Sequence, residues 1–357
     1  MAGADITQEY WRGRRVFVTG HTGFKGGWLA LWLHALGAEV HGYALAPPTK
    51  PSLFGTCRID DVLAGHTTGD IRDATGLSAA LERARPQVLF HMAAQSLVRP
   101  SYADPVETVS TNVLGTATVL REARQVTGLQ SIINVTSDKC YENTGADHAY
   151  AEDDAMGGHD PYSASKGAAE LIATSFRRSF FAGSSTQLAS VRAGNVIGGG
   201  DWAADRLVPD FFRARQAGAP LVIRSPNATR PWQHVLEPLS GYLLLAQRIG
   251  EGARDLDQGW NFGPGPESVK PVRWLTDYLT AGFGGLVELD PGPHPHEAAI
   301  LQLDCAKAHD ELGWTPRWTL QTALDKTAAW HEALNAGKDM RGYTLEQIAS
   351  YPGSGLA

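Results

Sequence analysis

Cysteine is scarce in this chain, and its scarcity excludes two kinds of site. Among 357 residues only three cysteines occur, Cys57, Cys140 and Cys305, and they lie far apart. This spacing provides neither the clustered ligands of a metal site nor the even number of thiols that a disulfide framework needs. We therefore expect no bound metal, and the reducing cytoplasm as the cellular compartment.

Positive charge and long apolar runs are also lacking. Lysine and arginine total 31 against 38 acidic residues, which gives a formal net charge of -7. Such a chain has no overall field to attract nucleic acid or an anionic membrane. No apolar run approaches the length that spans a bilayer, and residues 1–15 lack the apolar core of a signal peptide. We expect small anions as partners, with no nucleic acid and no membrane.

Hydrophobic residues are abundant, at 43% of the chain, so a large core is expected. Strand-like and helix-like segments alternate from residue 16 to residue 192, and this rhythm predicts an α/β fold with a Rossmann-like doubly wound parallel sheet. After about residue 194 glycine and proline interrupt the pattern, which indicates a smaller mixed C-terminal domain. The proline-rich stretch 291–295 is predicted to be a loop.

A glycine-rich turn joins the first strand to the first helix. Gly20 permits a tight turn, Gly23 lets the backbone approach a pyrophosphate, and Gly26 allows close packing of helix on strand. The N–H groups of the new helix then face the phosphate charge. The spacing predicts a dinucleotide site whose turn residues are Gly20, Thr22, Gly23, Phe24, Lys25 and Gly26.

A second cofactor signal follows the third strand. Asp70 could accept a hydrogen bond from an adenine amino group, with Ile71 flanking the ring, although an aspartate at this position equally often caps the next helix. The end of the second strand, residues 44–47, offers no acidic residue for the ribose hydroxyls of NAD. Lys50 or Arg58 could instead accommodate a 2′-phosphate, so the choice between NAD and NADP stays open.

Tyr162 and Lys166 are spaced four residues apart at the start of a predicted helix and therefore lie on one face. A nearby ammonium, aided by the positive nicotinamide ring, lowers the pKa of a phenol so that it can take a hydroxyl proton as hydride leaves carbon. The pair is predicted to be catalytic.

Several phrases together resemble the extended short-chain dehydrogenases/reductases that act on nucleotide sugars, and most closely the CDP-glucose 4,6-dehydratases. They cover most of the chain and read VTGHTGFKGGWL, HMAAQSLVRPSYADP, TNVLGT, NVTSDKCYEN, PYSASK, SVRAGNVIGGGDWAADRLVPD and RPWQHVLEP. The resemblance implies oxidation at sugar C4, loss of the C5 proton, departure of the C6 hydroxyl as water, and return of the same hydride to C6. It implies tightly bound NAD that is regenerated in each turnover, and a place in deoxysugar biosynthesis such as that of lipopolysaccharide O-antigen.

The strand-end phrase containing Ser137, Asp138 and Lys139 carries the elimination chemistry in this resemblance. Asp138 could protonate the leaving hydroxyl if burial keeps its carboxyl neutral. Lys139 could be a neutral amine that removes the C5 proton, the role we favour, or an ammonium that stabilises the C4 enolate.

The remaining site residues are predicted partly by this resemblance and partly by their places along the chain. We expect residues 1–193 to form the dinucleotide-binding domain, to which later segments could return, and residues 194–357 to bind the nucleotide sugar. Trp232 could stack on the nucleobase or fill the core, His91 is expected to be an interior residue, and Asn112 to support the site. Further cofactor contacts are expected from Ala93, Ala94 and Gln95, and substrate contacts from Gln95, Arg99, Ser137, Asn195, Arg206, Arg230 and His234.

Three rival functions share parts of this pattern. Another nucleotide-sugar 4,6-dehydratase or a 4-epimerase would share the C4 oxidation, but an epimerase needs no acid for a leaving group. A non-catalytic dinucleotide-binding regulator would have little use for Tyr162 and Lys166. The resemblance also implies a homodimer, or a tetramer, paired through the helices at 106–124 and 163–176, with contacts from Leu114, Val119, Leu120, Leu171, Ile172 and Phe176.

Overall fold

The computed structural model describes residues 5–145, 148–290, 292 and 301–356. Of the loop predicted at 291–295, all but Gly292 lies outside the described residues. The architecture is an α/β sandwich around one parallel sheet, as the sequence predicts. Four short two-stranded ladders in the second half of the chain and at residues 149–150 supplement that sheet.

Seven parallel strands form the central sheet in the spatial order β7-β6-β5-β4-β1-β2-β3. The chain winds outward from β1 in one direction and then, from β4, in the other, so a crevice opens at the carboxyl ends of β1 and β4. These strands are β1 Arg15–Thr19, β2 Glu39–Ala44, β3 Gly65–Thr68, β4 Val88–His91, β5 Ser131–Val135, β6 Gln187–Arg192 and β7 Gly259–Asn261.

Helices cover both faces of the sheet. The longer ones are α1 Phe24–Ala35, α2 Ala74–Ala84, α3 Gly115–Ala123, α4 Pro161–Phe176, α5 Leu207–Ala217, α6 Leu236–Gly250, α7 Val272–Phe283, α8 Leu320–Asn335 and α9 Met340–Ala349. Shorter helical segments are Gln8–Trp11, Leu53–Thr56, Ile59–Val62, Val98–Ala103, Pro105–Val109, Ser110–Leu114, Asp138–Cys140, Arg177–Phe181, Pro266–Ser268 and Ala306–Leu312. The short ladders pair Ala149–Tyr150 with Gln302–Leu303, Val196–Ile197 with Gln233–His234, Pro220–Ile223 with Leu286–Leu289, and Thr229–Pro231 with Val269–Pro271.

Local sequence explains where the important helices begin. Asp73 caps α2 by accepting hydrogen bonds from two backbone N–H groups of its first turn. Asp160 caps α4 in the same way, and Pro161 occupies the first helical position, where its missing N–H costs nothing. Helix α4 therefore begins one residue before Tyr162, which fixes that tyrosine in the first turn.

The largest core lies between the sheet and the face carrying α1 and α6. Helix α1 buries Trp28 and Trp32 completely, and the Trp28 ring nitrogen donates to the Gly199 carbonyl at 2.9 Å. Burial of aromatic rings of this size supplies much of the stabilisation of a core. This contact ties the first helix to the chain just beyond β6.

The second half of the chain returns to the sheet, as the sequence analysis anticipates for later segments. Strand β7 pairs with β6, and α6 packs against the core formed by α1. Neither element is predicted from the sequence. Helix α6 is buried along almost its whole length, including the polar Glu237, Ser240 and Gln247, so its polar residues do not mark an exposed face. The boundary at residue 193 remains a prediction.

Candidate active site

The glycine turn adopts the geometry that the sequence predicts for a phosphate-binding turn. Gly20 has φ +78°, and a Cβ atom there would lie 2.7 Å from the Ala93 nitrogen. A Cβ at Gly26 would overlap the Gly20 carbonyl oxygen. Gly23 caps α1 without a side-chain hydrogen bond, so the N–H groups of the first turn are left to an anionic ligand. Gly20 and Gly26 are thus required by close backbone approach, and Gly23 leaves the helix end open.

At the outer end of the crevice, Asp70 is already engaged by a neighbour. Its carboxylate accepts hydrogen bonds from Arg72, with distances from 2.6 to 3.1 Å, and the hydrogen bond from Arg72 lowers the pKa of Asp70. Arg72 also pairs with Glu107 at 2.6 Å. Ile71 is buried and lies against Gly115. An adenine contact by Asp70 remains a prediction, and it would share the carboxylate with Arg72.

The loop after β4 is shaped by its own polar side chains. Asn112 accepts from the backbone N–H of Gln95 at 2.8 Å and donates to the Gln95 carbonyl at 2.9 Å. The Gln95 amide group in turn donates to Thr108 at 3.0 Å. His91, as expected, is interior: its ring nitrogens lie 2.8 Å from Thr19 and 3.1 Å from Thr116.

Tyr162 and Lys166 lie deep in the crevice, with exposed fractions of 7% and 5%. Burial raises the pKa of Tyr162 to about 12, although a hydrogen bond to Ser137 opposes this change. Burial also lowers the pKa of Lys166 to about 8. The lowered phenol pKa expected beside a bound nicotinamide ring stays a prediction.

The segment after β5 places the predicted elimination residues beside this pair. The Ser137 hydroxyl donates to one Asp138 carboxyl oxygen at 2.9 Å. Asp138 is 2% exposed, and its other oxygen has no hydrogen-bond partner among the described residues. That oxygen occupies space which a Cβ at Gly194 would fill. Lys139 is half-buried in the same turn.

Two further cations reach the pocket. The Lys25 ammonium donates to the Tyr242 hydroxyl at 3.2 Å. Burial lowers the pKa of Lys25 to about 7, and the charges of Lys166 and Arg206 lower it further. The sequence predicts Lys25 and Arg206 as site residues. It does not predict Tyr242, because helix α6 is not recognised from the sequence.

The substrate residues predicted beyond this pocket fall into different environments. Asn195 adopts φ +27°, and its amide nitrogen is buried without a hydrogen-bond partner among the described residues. Arg206 pairs with Asp201 at 2.9 Å, and Arg99 pairs with Asp205 at 2.9 Å. Arg230 is 8% exposed.

His234 and Trp232 lie in the interior. His234 is fully buried between the rings of Trp28 and Trp318, with ring centroids 5.6 Å and 4.9 Å away. A ligand could reach it only after rearrangement, so its predicted substrate contact has no support in this geometry. The Trp232 ring nitrogen donates to the Lys270 carbonyl at 3.1 Å, and the residue is 7% exposed.

Within the described part of the chain, no cluster of histidine, cysteine and carboxylate side chains could hold a metal ion. No helix among these residues has the length and apolar character to cross a membrane. Cys57, Cys140 and Cys305 are free thiols.

The phosphate-type turn, the parallel sheet and the buried Tyr162–Lys166 pair define a dinucleotide-binding α/β protein with the short-chain dehydrogenase/reductase arrangement. The family profile for GDP-mannose 4,6 dehydratase matches residues 17–260. The chain belongs to that family. The match confirms the resemblance to nucleotide-sugar dehydratases that the sequence phrases indicate.

Individual relatives agree with this assignment. The CDP-glucose 4,6-dehydratase of Salmonella typhimurium is 50% identical over 97% of this chain and 98% of its own length. The dTDP-glucose 4,6-dehydratase of Streptomyces antibioticus is 30% identical over 88% of this chain and 92% of its own. The solved structure of DesIV, a dTDP-glucose 4,6-dehydratase from Streptomyces venezuelae with NAD bound, has a TM-score of 0.78 at 25% identity and covers 92% of this chain and 99% of its own.

Proposed function

We propose that this protein is an NAD-dependent CDP-glucose 4,6-dehydratase, which converts CDP-glucose to CDP-4-keto-6-deoxyglucose and water. The observation that carries the proposal is the convergence of Tyr162, Ser137 and Asp138 in one buried pocket. The choice of the cytidine sugar is supported by the 50% identity to the Salmonella enzyme over nearly the whole chain.

The glycine turn fits a dinucleotide. A Cβ at Gly20 or Gly26 would collide with neighbouring backbone atoms, and the first turn of α1, which begins after Gly23, presents N–H groups to a pyrophosphate. When bound, NAD accepts hydride from the sugar and gives it back. A preference for NAD over NADP is supported by DesIV, which was solved with NAD bound.

The protein's own residues then have distinct tasks. Tyr162 takes the proton of the C4 hydroxyl as that carbon becomes a ketone. Its high pKa in this structure means that the phenol starts protonated, so Lys166 and the charge of bound cofactor must favour the phenolate during oxidation. The ketone makes the C5 proton acidic enough to remove.

Elimination falls to Asp138 and Lys139. Asp138 donates a proton to the departing C6 hydroxyl, which leaves as water, and its buried unpartnered oxygen faces no competing donor among the described residues. We assign the C5 proton to Lys139. If a Lys139→Ala variant exchanged the C5 proton with solvent at the wild-type rate, that assignment would be wrong.

The diphosphate is bound by guanidinium groups at the pocket entrance. The charge of Arg206 lowers the pKa values of both Tyr162 and Lys25, which supports its placement in the same pocket. Asn195 and Arg230 are the other predicted contacts. Arginine suits this task because its planar fork pairs bidentately with phosphate oxygens.

The direct test incubates the purified protein and NAD with CDP-glucose, and separately with dTDP-, UDP- and GDP-sugars. The expected result is the alkali-dependent absorbance of a 4-keto-6-deoxy sugar with CDP-glucose alone. A Tyr162→Phe variant, which retains the ring and loses the proton acceptor, serves as the control and should be inactive. Product from another nucleotide sugar, with none from CDP-glucose, would overturn the proposed substrate.

The proposal extends to a cytoplasmic homodimer. Val106, Leu114 and Leu171 are 76%, 61% and 62% exposed on the helical face at 106–124 and 163–176. Val119 and Leu120, also predicted to make contacts between subunits, are fully buried against the sheet instead. Sedimentation of the wild type and of a Leu171→Glu variant tests the pairing of subunits. The proposal requires that the wild type sediment as a dimer and the variant as a monomer.

A further inference from the structure

A buried ion pair lies beneath the catalytic residues and takes no part in the proposed chemistry. Glu170 and Arg192 are 2% and 4% exposed. Two guanidinium nitrogens of Arg192 donate to the Glu170 carboxylate at 2.8 and 3.1 Å. Glu170 stands four residues after Lys166 on α4, and Arg192 ends β6. The pair therefore joins the helix that carries Tyr162 and Lys166 to the sheet.

The same pair holds the two residues that flank the elimination turn. On one side, the Thr136 hydroxyl donates to Glu170 at 2.5 Å. On the other side, Arg192 donates to the Tyr141 hydroxyl at 2.7 Å. Thr136 immediately precedes Ser137, and Tyr141 immediately follows the 3-10 turn Asp138–Cys140. The turn is thus fastened at both ends to one ion pair.

Other contacts strengthen this fastening. The Tyr141 hydroxyl also donates to Asn261 on β7 at 2.7 Å. A Cβ at Gly167 would lie 3.0 Å from the Cys140 carbonyl, so a glycine on α4 lets the helix press against the turn. A Cβ at Gly259 would lie 2.5 Å from the Arg192 guanidinium, so glycine on β7 leaves space for it.

Tyr162 is held by different groups. Its backbone N–H donates to the Ser101 hydroxyl at 3.1 Å. One turn along, Asn112 donates to the Ser165 hydroxyl at 2.8 Å. Neither bond involves Glu170 or Arg192, so the start of α4 has anchors of its own, although the charge of Glu170 opposes the lowering of the pKa of Lys166.

We propose that Glu170 and Arg192 are positioning residues for the elimination step, holding Asp138 and Lys139 in register with the sugar, so that their loss affects elimination more than the C4 oxidation by Tyr162, whose backbone is anchored by Ser101. A buried ion pair is weak evidence for stability, because well-packed apolar residues often replace one without loss. In some proteins buried polar or ionic groups instead fix one specific geometry, and that is the use inferred for this pair. The inference rests on the proposed function, since it needs an elimination step.

The test mixes CDP-glucose and NAD with the wild-type chain and with a Glu170→Gln variant. The variant should lose kcat by about tenfold or more at unchanged KM, because small misplacement of reacting groups costs up to about a hundredfold. The reduced-nicotinamide absorbance in the near ultraviolet should build up, since oxidation then outruns elimination. A Thr136→Val variant, which removes the hydroxyl bonds to Glu170 and to the Val191 carbonyl but keeps the Glu170 charge near Lys166, should show a weaker build-up and provides the readout if Glu170→Gln does not fold.

A matched control is available in Glu237, a carboxylate that is 1% exposed and accepts from Arg317, Trp318 and Tyr351. Glu237→Gln should lower the melting temperature without any build-up of reduced cofactor. The proposal is overturned if the Glu170 and Thr136 variants show no build-up, or if Glu237→Gln shows it too. A wild type inert toward CDP-glucose would instead overturn the proposed function, and this proposal with it.

Discussion

Arginine pairs with a carboxylate in two regions that have opposite surroundings. We call the pair of Glu170 on α4 with Arg192 on β6 the foot, and the cluster of Asp205 with Arg99 and Arg224 the mouth. At the foot, Glu170 and Arg192 are almost completely buried. At the mouth, Asp205 bridges Arg99 at 2.9 Å and Arg224 at 3.3 Å, with side chains that are 38%, 40% and 25% exposed. The same kind of ion pair interacts more strongly at the foot than at the mouth, because water screens the charges at the mouth and is excluded from the foot.

The pKa of Glu170 reflects this difference. Burial alone would raise it, but the Arg192 guanidinium and the Thr136 hydroxyl outweigh burial, so the pKa of Glu170 is lowered. Its carboxylate is therefore charged in the interior only because its partners are present. At the mouth, by contrast, water can replace a lost partner.

The largest expected effect comes from removing one member of the buried pair. Arg192→Met should lower the free energy of unfolding by about 3–5 kcal/mol, because a buried carboxylate is left without its cation. Urea denaturation followed by circular dichroism measures the change. A loss below about 1 kcal/mol would show that the foot behaves like a surface site.

Removing both charges at the foot together separates the effect of the ion pair on stability from its effect on turnover. The double variant Glu170→Met/Arg192→Met should recover most of the stability lost in Arg192→Met, because no unpaired charge remains. It should not recover turnover, because the bonds to Thr136 and Tyr141 are gone. Full turnover in a stable double variant would mean that the pair only stabilises the fold.

Buried histidines should make the interior sensitive to acid. Burial lowers the pKa of His234 to about 3 from an ordinary value of 6.5. Its stabilising contribution is complete above pH 6.5 and is lost as the pH falls toward 3, because only the unfolded chain takes up the proton.

A His234→Phe variant tests this linkage. Between the two pKa values, the stability of the wild type should fall by about 1.4 kcal/mol more per pH unit than that of the variant. Urea denaturation across that pH range gives both slopes, and parallel slopes would contradict the account. His21 and His91, whose pKa values burial also lowers to about 3, continue to contribute in both proteins.

The smallest effect is expected at the mouth of the cleft. Asp205→Asn should change the free energy of unfolding by less than about 1 kcal/mol, because both bridges are partly exposed. If Arg99 binds substrate as predicted, its release from Asp205 should alter KM without changing kcat. A stability loss as large as that of Arg192→Met would erase the distinction between the two regions.

The sequence predicts the parts of this molecule that are encoded locally. The glycine triplet, the cap and spacing around Tyr162 and Lys166, and the alternation of strands with helices each occupy a short stretch of chain. Each can therefore be recognised without knowing what packs against it. The turn at Ser137 and Asp138 was found in the same way, through a family phrase.

The sequence does not reveal what depends on distant neighbours. Glu170 and Arg192 are 22 residues apart, and no motif marks them as a pair. Helix α6, which supplies Tyr242, buries polar residues together with apolar ones, so no exposed polar face marks it. The rise in the pKa of Tyr162 depends on burial by the whole fold. His234 was predicted from its place beside Arg230, but a side chain in a short strand can point into the core.

The central claim is that one pocket oxidises C4 and then eliminates across C5 and C6. The most direct test uses CDP-glucose carrying deuterium at C4, with the product analysed by NMR. The account predicts that deuterium leaves C4 and appears at C6 of the same sugar, with a solvent proton at C5. Deuterium still at C4, or returned there with inverted configuration, would contradict it.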